Sequence, residues 1–227
     1  MNIIDLSIVI PVYNNRDSIA ELIQRIEAVC DGVAFECIAV VDASPDDSLA
    51  ILLKLQETKH YLKLITLPTN IGQAGALLRG LRLASGNKIV IMDADLQDEP
   101  EDIPALLAEF TAVSMVFAGK GGAYEGSIRR RQGDLFRQIQ TILTGYPSNI
   151  GGYVILDNKA KSFLLGFPKP WALVSSMLAC SGLPCGVVPV SRKSRPTGCS
   201  SYSDWRRAKT AINTLAKIVR YKLFNIK

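Results

Sequence analysis

The chain has 227 residues, 48% of them hydrophobic, which is enough for one α/β domain with or without an appendage. Its net charge of +5 hides an asymmetry: residues 1–112 hold 8 Lys and Arg against 17 Asp and Glu (−9), and residues 113–227 hold 18 against 4 (+14). That split points to an anion-binding or membrane-facing C-terminal part, with a basic surface that merely aids solubility as the plainer alternative.

The elements follow in order. Leu6–Val12 is an apolar run of strand length, and Tyr13-Asn14-Asn15 makes the turn. Asp17 or Ser18 can cap a helix with Ile19, Leu22, Ile23, Ile26 and Val29 on one face. Cys37–Val41 is a second strand, ending in Asp42-Ala-Ser-Pro-Asp-Asp-Ser48 before a helix with Leu49, Leu52, Leu53 and Leu55. Leu62–Leu67 is a third strand, followed by Pro68-Thr-Asn-Ile-Gly-Gln-Ala-Gly75 and a helix carrying Ala76, Leu77, Leu81 and Ala84. Ile89–Met92 is a fourth strand, buried on both faces, and Asp93, Asp95, Gln97 and Asp98 arrive at its end. The β-α-β-α-β-α-β rhythm predicts a parallel sheet with helices on both faces.

Past residue 113 the alternation breaks. Ser114–Ala118 reads as a fifth strand and 120–127 as a glycine-rich loop running into Arg129-Arg-Arg131. A helix is predicted over 134–143 with Leu135, Ile139 and Ile142 inward, then a turn at 146–152, a strand at Tyr153–Leu156 and a helix capped by Asp157 or Asn158. Pro170–Val190 reads as a core helix followed by a strand (Gly186–Val190), because Gly182, Pro184 and Gly186 interrupt it and no segment reaches the ~18 clean apolar residues of a bilayer span. A basic loop, 191–202, leads to a last helix over 203–224 with Trp205, Ala208, Ile212, Leu215, Val219 and Leu223 on one face and Arg206, Arg207, Lys209, Lys217, Arg220 and Lys222 on the others. Two readings stand for that helix: it lies on an anionic membrane, or it packs on the domain with a solvated basic face.

The chemistry concentrates at the end of the fourth strand. Carboxylates at i and i+2 on a loop, at the carboxyl edge of an open sheet, can share one Mg²⁺ or Mn²⁺ and leave positions for phosphate oxygens. The plainer reading is an acidic loop capping the helix near Glu101. No GxGxxG follows the first strand and no GxxxxGK[ST] occurs, which argues against a dinucleotide fold or P-loop nucleotidase. Five cysteines (Cys30, Cys37, Cys180, Cys185, Cys199) without CxxC spacing read as reduced thiols of a cytosolic protein, and the lone His60 as a surface residue. Asn2–Asp5 lacks the basic start of a secretory signal.

Four segments, Ser7-Ile-Val-Ile-Pro-Val-Tyr-Asn14, Asp42-Ala-Ser-Pro-Asp-Asp-Ser48, Asn70-Ile-Gly-Gln-Ala-Gly75 and Met92-Asp-Ala-Asp-Leu-Gln-Asp98, resemble the family 2 glycosyltransferases of GT-A fold. Asp-Ala-Asp-Leu-Gln-Asp followed by Pro100-Glu101, with Arg195-Pro-Thr-Gly-Cys-Ser-Ser-Tyr202 later, is similar to the polyprenyl-phosphate branch, like dolichol-phosphate mannose synthase. The resemblance implies an α/β GT-A domain over 1–202 (nucleotide half 1–112, acceptor half 113–202) with a mostly parallel central sheet and helices on both faces, a basic amphipathic helix over 203–227, and an inverting, metal-dependent sugar transfer. Pro11, Tyr13 and Asn14 would line the base pocket, Asp42 would lie near the base or ribose, and Gly72 would join the substrate-binding set. Asp93 would contact ribose or metal, while Asp95 and Gln97 would ligate Mg²⁺ or Mn²⁺. Arg131 would hold the acceptor phosphate with Lys120 beside it, and Arg195, Ser200 and Tyr202 would close the basic loop over the diphosphate.

The implied partners are a UDP-, GDP- or dTDP-sugar, a lipid-linked phosphate and a membrane surface, with no nucleic acid and with self-association left open. The implied location is cytoplasmic, with peripheral attachment to the cytoplasmic membrane face left open. The chain departs from the family at Val41, where an acid usually precedes Asp42, and at Ser148–Gly152, which replaces a more acidic turn. The branch commonly continues into transmembrane helices; here membrane contact would fall to the last helix or a partner, or not exist. Two alternatives remain: transfer to a saccharide hydroxyl, for which Asp98 or Asp134 would be the base, and a non-catalytic binding subunit.

Overall fold

The computed structural model describes residues 4–121, 127–191 and 204–225, with the side chains of 120–134, 191–207 and 225 outside that description. Seven strands, β1 (Leu6–Val12), β2 (Phe35–Asp42), β3 (Leu62–Leu67), β4 (Lys88–Ile91), β5 (Met115–Gly121), β6 (Val154–Leu156) and β7 (Cys185–Ser191), form one sheet in the order β3-β2-β1-β4-β6-β5-β7. The helices are α1 (Ile19–Val29), α2 (Ser48–Gln56), α3 (Gln73–Leu83), α4 (Ile103–Ala108), α5 (Ser127–Thr144), α6 (Asn158–Leu165), α7 (Val174–Leu178) and α8 (Asp204–Asn225), with a 3-10 turn at Pro100–Asp102.

Alternation along the strands divides the core into two layers. Val9, Ile38, Val40, Ile89 and Ile91 face the layer of α3, α6, α7 and Ile218 of α8. Ile8, Ile10, Cys37, Ala39 and Val90 face α1, α2 and α4 through Leu22, Ile26, Leu52 and Leu106. Gly80 lets α3 sit directly on β1 and β2, because a Cβ there would strike Val9 and Val40.

The sheet is mostly parallel, as expected; the β-α alternation read over the first four strands does not extend to β6, which runs antiparallel between β4 and β5, with Ile91 opposite Val154. The chain re-enters from the carboxyl edge after α5 and so must run backwards. The helix predicted over 134–143 begins at Ser127, so Arg129–Arg131 are helical and not part of a loop. The inward faces of α5 and α8 also differ from the prediction. Leu135 and Ile142 are exposed and Gln140 is buried, where its Oε1 accepts from Ser176 Oγ at 2.7 Å. On α8 the inward residues are Thr214 and Ile218, while Ile212, Val219 and Leu223 are exposed.

Among the described residues, no helix is long and apolar enough to cross a membrane. Cys30, Cys37 and Cys180 are buried and Cys185 is partly so; burial pushes the Cys30 and Cys180 thiols up to about 11. Cys199 lies outside the described residues, and His60 is exposed as read.

Candidate active site

Strand order reverses between β1 and β4: from β1 the chain moves outward to β2 and β3, then returns to the other side of β1. In an open parallel sheet that reversal leaves a crevice at the carboxyl edge. The loops after β1 and β4 flank it, bringing Pro11–Asn15 and Asp93–Asp98 together.

Each of the first four strand ends turns through a left-handed residue. Among the described residues the non-glycines with positive φ are Asn14 (56°), Ala43 (51°) and Leu96 (60°), after β1, β2 and β4, and Gly72 (82°) follows β3. Non-glycine residues in this region cost of order 1 kcal/mol or more each and persist where surrounding contacts over-determine them. Those contacts run between loops. Asn14 N–H donates to Ser44 Oγ (2.8 Å) and Asn15 N–H to Ser48 Oγ (3.1 Å). Asp46 accepts from Arg16 N–H (2.9 Å), Ser44 Oγ (2.7 Å) and Ser48 N–H (3.1 Å). Burial opposes its ionisation, but the hydrogen bonds from Ser44, Ser48 and Arg16 prevail and hold the carboxyl at about 2. The first two loops are thereby one rigid unit.

Asp42 is 2% exposed, and its two oxygens accept from Ile71 N–H and Gly72 N–H, both at 2.8 Å. Its carboxylate fixes the turn that starts α3. Tyr13 is 46% exposed, Pro11 is partly buried, and Asn14 is exposed, so this lip is open to a planar ligand.

The loop after β4 bends through residues 94–98, with Leu96 left-handed, and burial alternates along it. Ala94, Leu96 and Asp98 point inward; Asp93, Asp95 and Gln97 are partly exposed. Three oxygen-bearing side chains are thus within reach of solvent along one short loop. Four anchors hold the segment: Ser18 Oγ donates to Ala94 O (2.6 Å), Asp98 Oδ2 accepts from Asp93 N–H (3.0 Å), Asp95 Oδ1 accepts from Gln97 N–H (3.1 Å), and Gln73 Nε2 donates to Asp93 Oδ1 (2.5 Å). Behind it Arg25 of α1 bridges Glu99 (3.3 Å) and Glu101 (2.5 Å), and the Glu101 hydrogen bond, against the cost of burial, raises the guanidinium pKa further. Tyr153 OH donates to Glu99 O at 2.9 Å.

A narrow cleft beside this loop is lined by Gln97, Asp98, Asp102, Gly119, Gly151 and Gly152. Asp102 Oδ2 is buried there without a hydrogen-bond partner, and burial, then the charges of Glu99, Glu101 and Asp98, push its carboxyl above the ordinary value. Asp98, 5% exposed, positions Asp93 and is ill-placed to serve as an open base.

Among the described residues no three His, Cys, Asp or Glu side chains converge as a metal cage. The residues nevertheless fit a divalent cation of the kind held by one or two carboxylates plus substrate phosphates, since the partly exposed donors are hard oxygens. Lys120, next to last in β5, pairs with Val190 of β7, and Arg131 lies in the early turns of α5; the side chains of both, and Asp134's, lie outside the described residues. Arg195, Ser200 and Tyr202 lie outside them altogether. Sequence reasoning missed the site roles of Ser18, Arg25, Asp46 and Gln73, which rest on contacts between distant loops; Asp46 and Gln73 stood within quoted motifs, and Ser18 reads there only as a helix cap.

A family model described as "Glycosyl transferase family 2" matches residues 7–165. The undecaprenyl-phosphate 4-deoxy-4-formamido-L-arabinose transferase of Salmonella paratyphi A is 39% identical over 137 residues, which is 59% of this chain and 39% of that relative. The enzyme of the same name from Salmonella dublin matches equally. The chain thus spans about two fifths of the length of these relatives. Among solved structures, a mannosyltransferase from Pyrobaculum calidifontis in complex with GDP-Man and Mn²⁺ matches with a TM-score of 0.69 at 23% identity, covering 96% of this chain and 65% of that one. S. aureus TarS 1–349 in complex with UDP-GlcNAc matches at 0.66 and 20%, covering 99% and 68%. The likeness establishes the GT-A fold.

Proposed function

The chain belongs to glycosyl transferase family 2, and from that premise we propose that it moves a sugar from a nucleotide diphosphate to a lipid-linked phosphate, with inversion. The observation that carries this reading is the Asp93–Gln97 segment, whose oxygen-bearing side chains are partly exposed in the loop after β4, at the strand-order reversal beside β1. The name of the Salmonella relatives, an undecaprenyl-phosphate transferase, supports a polyprenyl phosphate acceptor.

In this reading Pro11, Tyr13 and Asn14 line the base pocket, and Asp42 acts by holding the Ile71–Gly72 turn against the donor. Asp95 and Gln97, with Asp93, hold Mg²⁺ or Mn²⁺, which when bound supplies Lewis-acid neutralisation of the diphosphate. Mn²⁺ in the GDP-Man complex of the archaeal mannosyltransferase supports that choice. An acceptor phosphate oxygen attacks the anomeric carbon; the new C–O bond forms as the bond to the diphosphate breaks, and the nucleoside diphosphate departs with the electron pair. The nucleophile is already anionic, so no protein base is needed, in keeping with a chain whose lone histidine is exposed. Arg131, with Lys120, orients the acceptor phosphate, since a guanidinium clamps phosphate bidentately. Arg195, Ser200 and Tyr202 close over the diphosphate. Transfer to a saccharide hydroxyl would need an open carboxylate base, and the engagement of Asp98 disfavours it.

Calorimetry with UDP-, GDP- and dTDP-sugars, with and without Mn²⁺, followed by product formation with a short polyprenyl phosphate, tests the reading. Arg131→Ala should lower turnover at least a hundredfold and leave donor binding intact. Binding of no nucleotide sugar would overturn the transferase assignment, and product formation unaffected by Arg131→Ala would overturn the acceptor role.

A further inference from the structure

Away from the strand-end loops, a cavity of about 640 Å³ opens between the end of α6, the Gly166–Trp171 turn and the last turns of α8. It shares no residue with the candidate active site. Its walls are Phe163, Phe167, Trp171, Tyr221 and Phe224, and Lys217 and Arg220 also line it. The rings are locked together: Tyr221 stacks on Phe167 with centroids 5.3 Å apart, and Trp171 meets Phe167 edge-on at the same distance.

A second side of α8, turned to solvent, is apolar as well. Ile212, Val219 and Leu223, at i, i+7 and i+11, fall on one helical face and are 67%, 41% and 69% exposed, and Phe224 is 78% exposed. On α5, which packs against α8, Ile142 is 82% exposed. Large apolar side chains grouped in this way mark an interaction surface. Its charge identifies the partner. From Trp205 to Lys227 the sequence has seven Lys or Arg and no acid, and among the described residues no ion pair involves Lys209, Lys217, Arg220 or Lys222. An apolar stripe flanked by cations, next to an aromatic groove wide enough for a hydrocarbon chain, complements a bilayer interface with anionic headgroups.

We propose that the α8 face docks on an anionic phospholipid bilayer, with a lipid chain entering the aromatic groove and Lys217 and Arg220 pairing with headgroup phosphates. Docking is separate from donor binding and from the acceptor-phosphate residues, so it stands or falls independently of the transferase reading.

The test is flotation of the full chain with phosphatidylcholine vesicles and with vesicles containing phosphatidylglycerol. The wild type should bind the anionic vesicles at least tenfold more tightly. Lys217→Glu with Arg220→Glu, and separately Phe224→Asp at its exposed site, should each reduce binding at least tenfold without changing donor affinity or thermal midpoint. Brominated phosphatidylglycerol should quench Trp171 fluorescence in a Trp205→Phe background. Equal binding to both vesicles, wild-type flotation by the variants, or an unquenched Trp171 would overturn the proposal. So would self-association without flotation, which would make the face a protein interface.

Discussion

Glu36 is 1% exposed, yet it is a carboxylate, and every contact it makes keeps it ionised. Its oxygens accept from Ser7 Oγ (2.6 Å), Ser85 N–H (2.7 Å), Ser85 Oγ (2.8 Å) and Lys63 Nζ (2.5 Å), joining β1, β2, β3 and the turn before β4. Burial raises its pKa, but the hydrogen bonds from Lys63, Ser7 and Ser85 outweigh that and hold it at about 2. A depressed carboxyl pKa stabilises the fold above the unfolded value near 4.5 and loses that stabilisation as pH falls towards 2. The difference corresponds to about 3 kcal/mol. Denaturant titrations should show wild-type stability falling through this window, with Glu36→Gln less stable at pH 7 and flatter in acid; parallel pH profiles would show that Glu36 does not supply the effect. At Gly72, with φ of 82°, any side chain is strained. Gly72→Val should cost about 1–3 kcal/mol of stability and weaken donor binding, readable by thermal melts and calorimetry.

At the scale of elements, the loop after β4 depends on α1. Arg25 is partly buried and holds Glu99 and Glu101, while Glu101 is half exposed, so the ion pairs alone contribute about 1 kcal/mol. Arg25→Ala should therefore lower stability little but loosen the acid loop, seen as faster amide exchange over 93–101 and a severalfold loss of donor affinity. Unchanged exchange would remove Arg25 from the site's support.

The elements of the nucleotide half were legible because each strand is an apolar run closed by polar residues, and Asp93, Asp95 and Gln97 stood out as acids and amide ending such a run. Ser18, Arg25 and Gln73 were not legible: each acts on a residue about twenty or more positions away, and only the fold brings them together. The faces of α5 and α8 misled for a related reason. Gln140 is buried through its bond to Ser176, a pairing that hydropathy cannot register, and α8 carries two apolar stripes. Periodicity selected the stripe with Ile212 and Val219; packing selected Thr214 and Ile218.

The whole molecule separates its charge along the chain as well as its chemistry. The −9 half supplies the strand-end loops that would hold donor and metal, and the +14 half supplies β5, α5 and α8, where the acceptor and membrane roles are proposed. Increasing ionic strength should therefore weaken vesicle docking more than donor binding, because surface cations are screened and a phosphate held by a metal in a crevice is screened less. Equal salt sensitivity would contradict that division. The central claim is that the Asp93–Gln97 segment binds a nucleotide sugar through a divalent cation. Calorimetry of a nucleotide-sugar panel against wild type and Asp95→Ala, each with Mn²⁺ and with chelator, tests it most directly. The account predicts Mn²⁺-dependent binding of at least one donor by the wild type and a loss of at least tenfold in the variant; binding that ignores both Mn²⁺ and the substitution would contradict it.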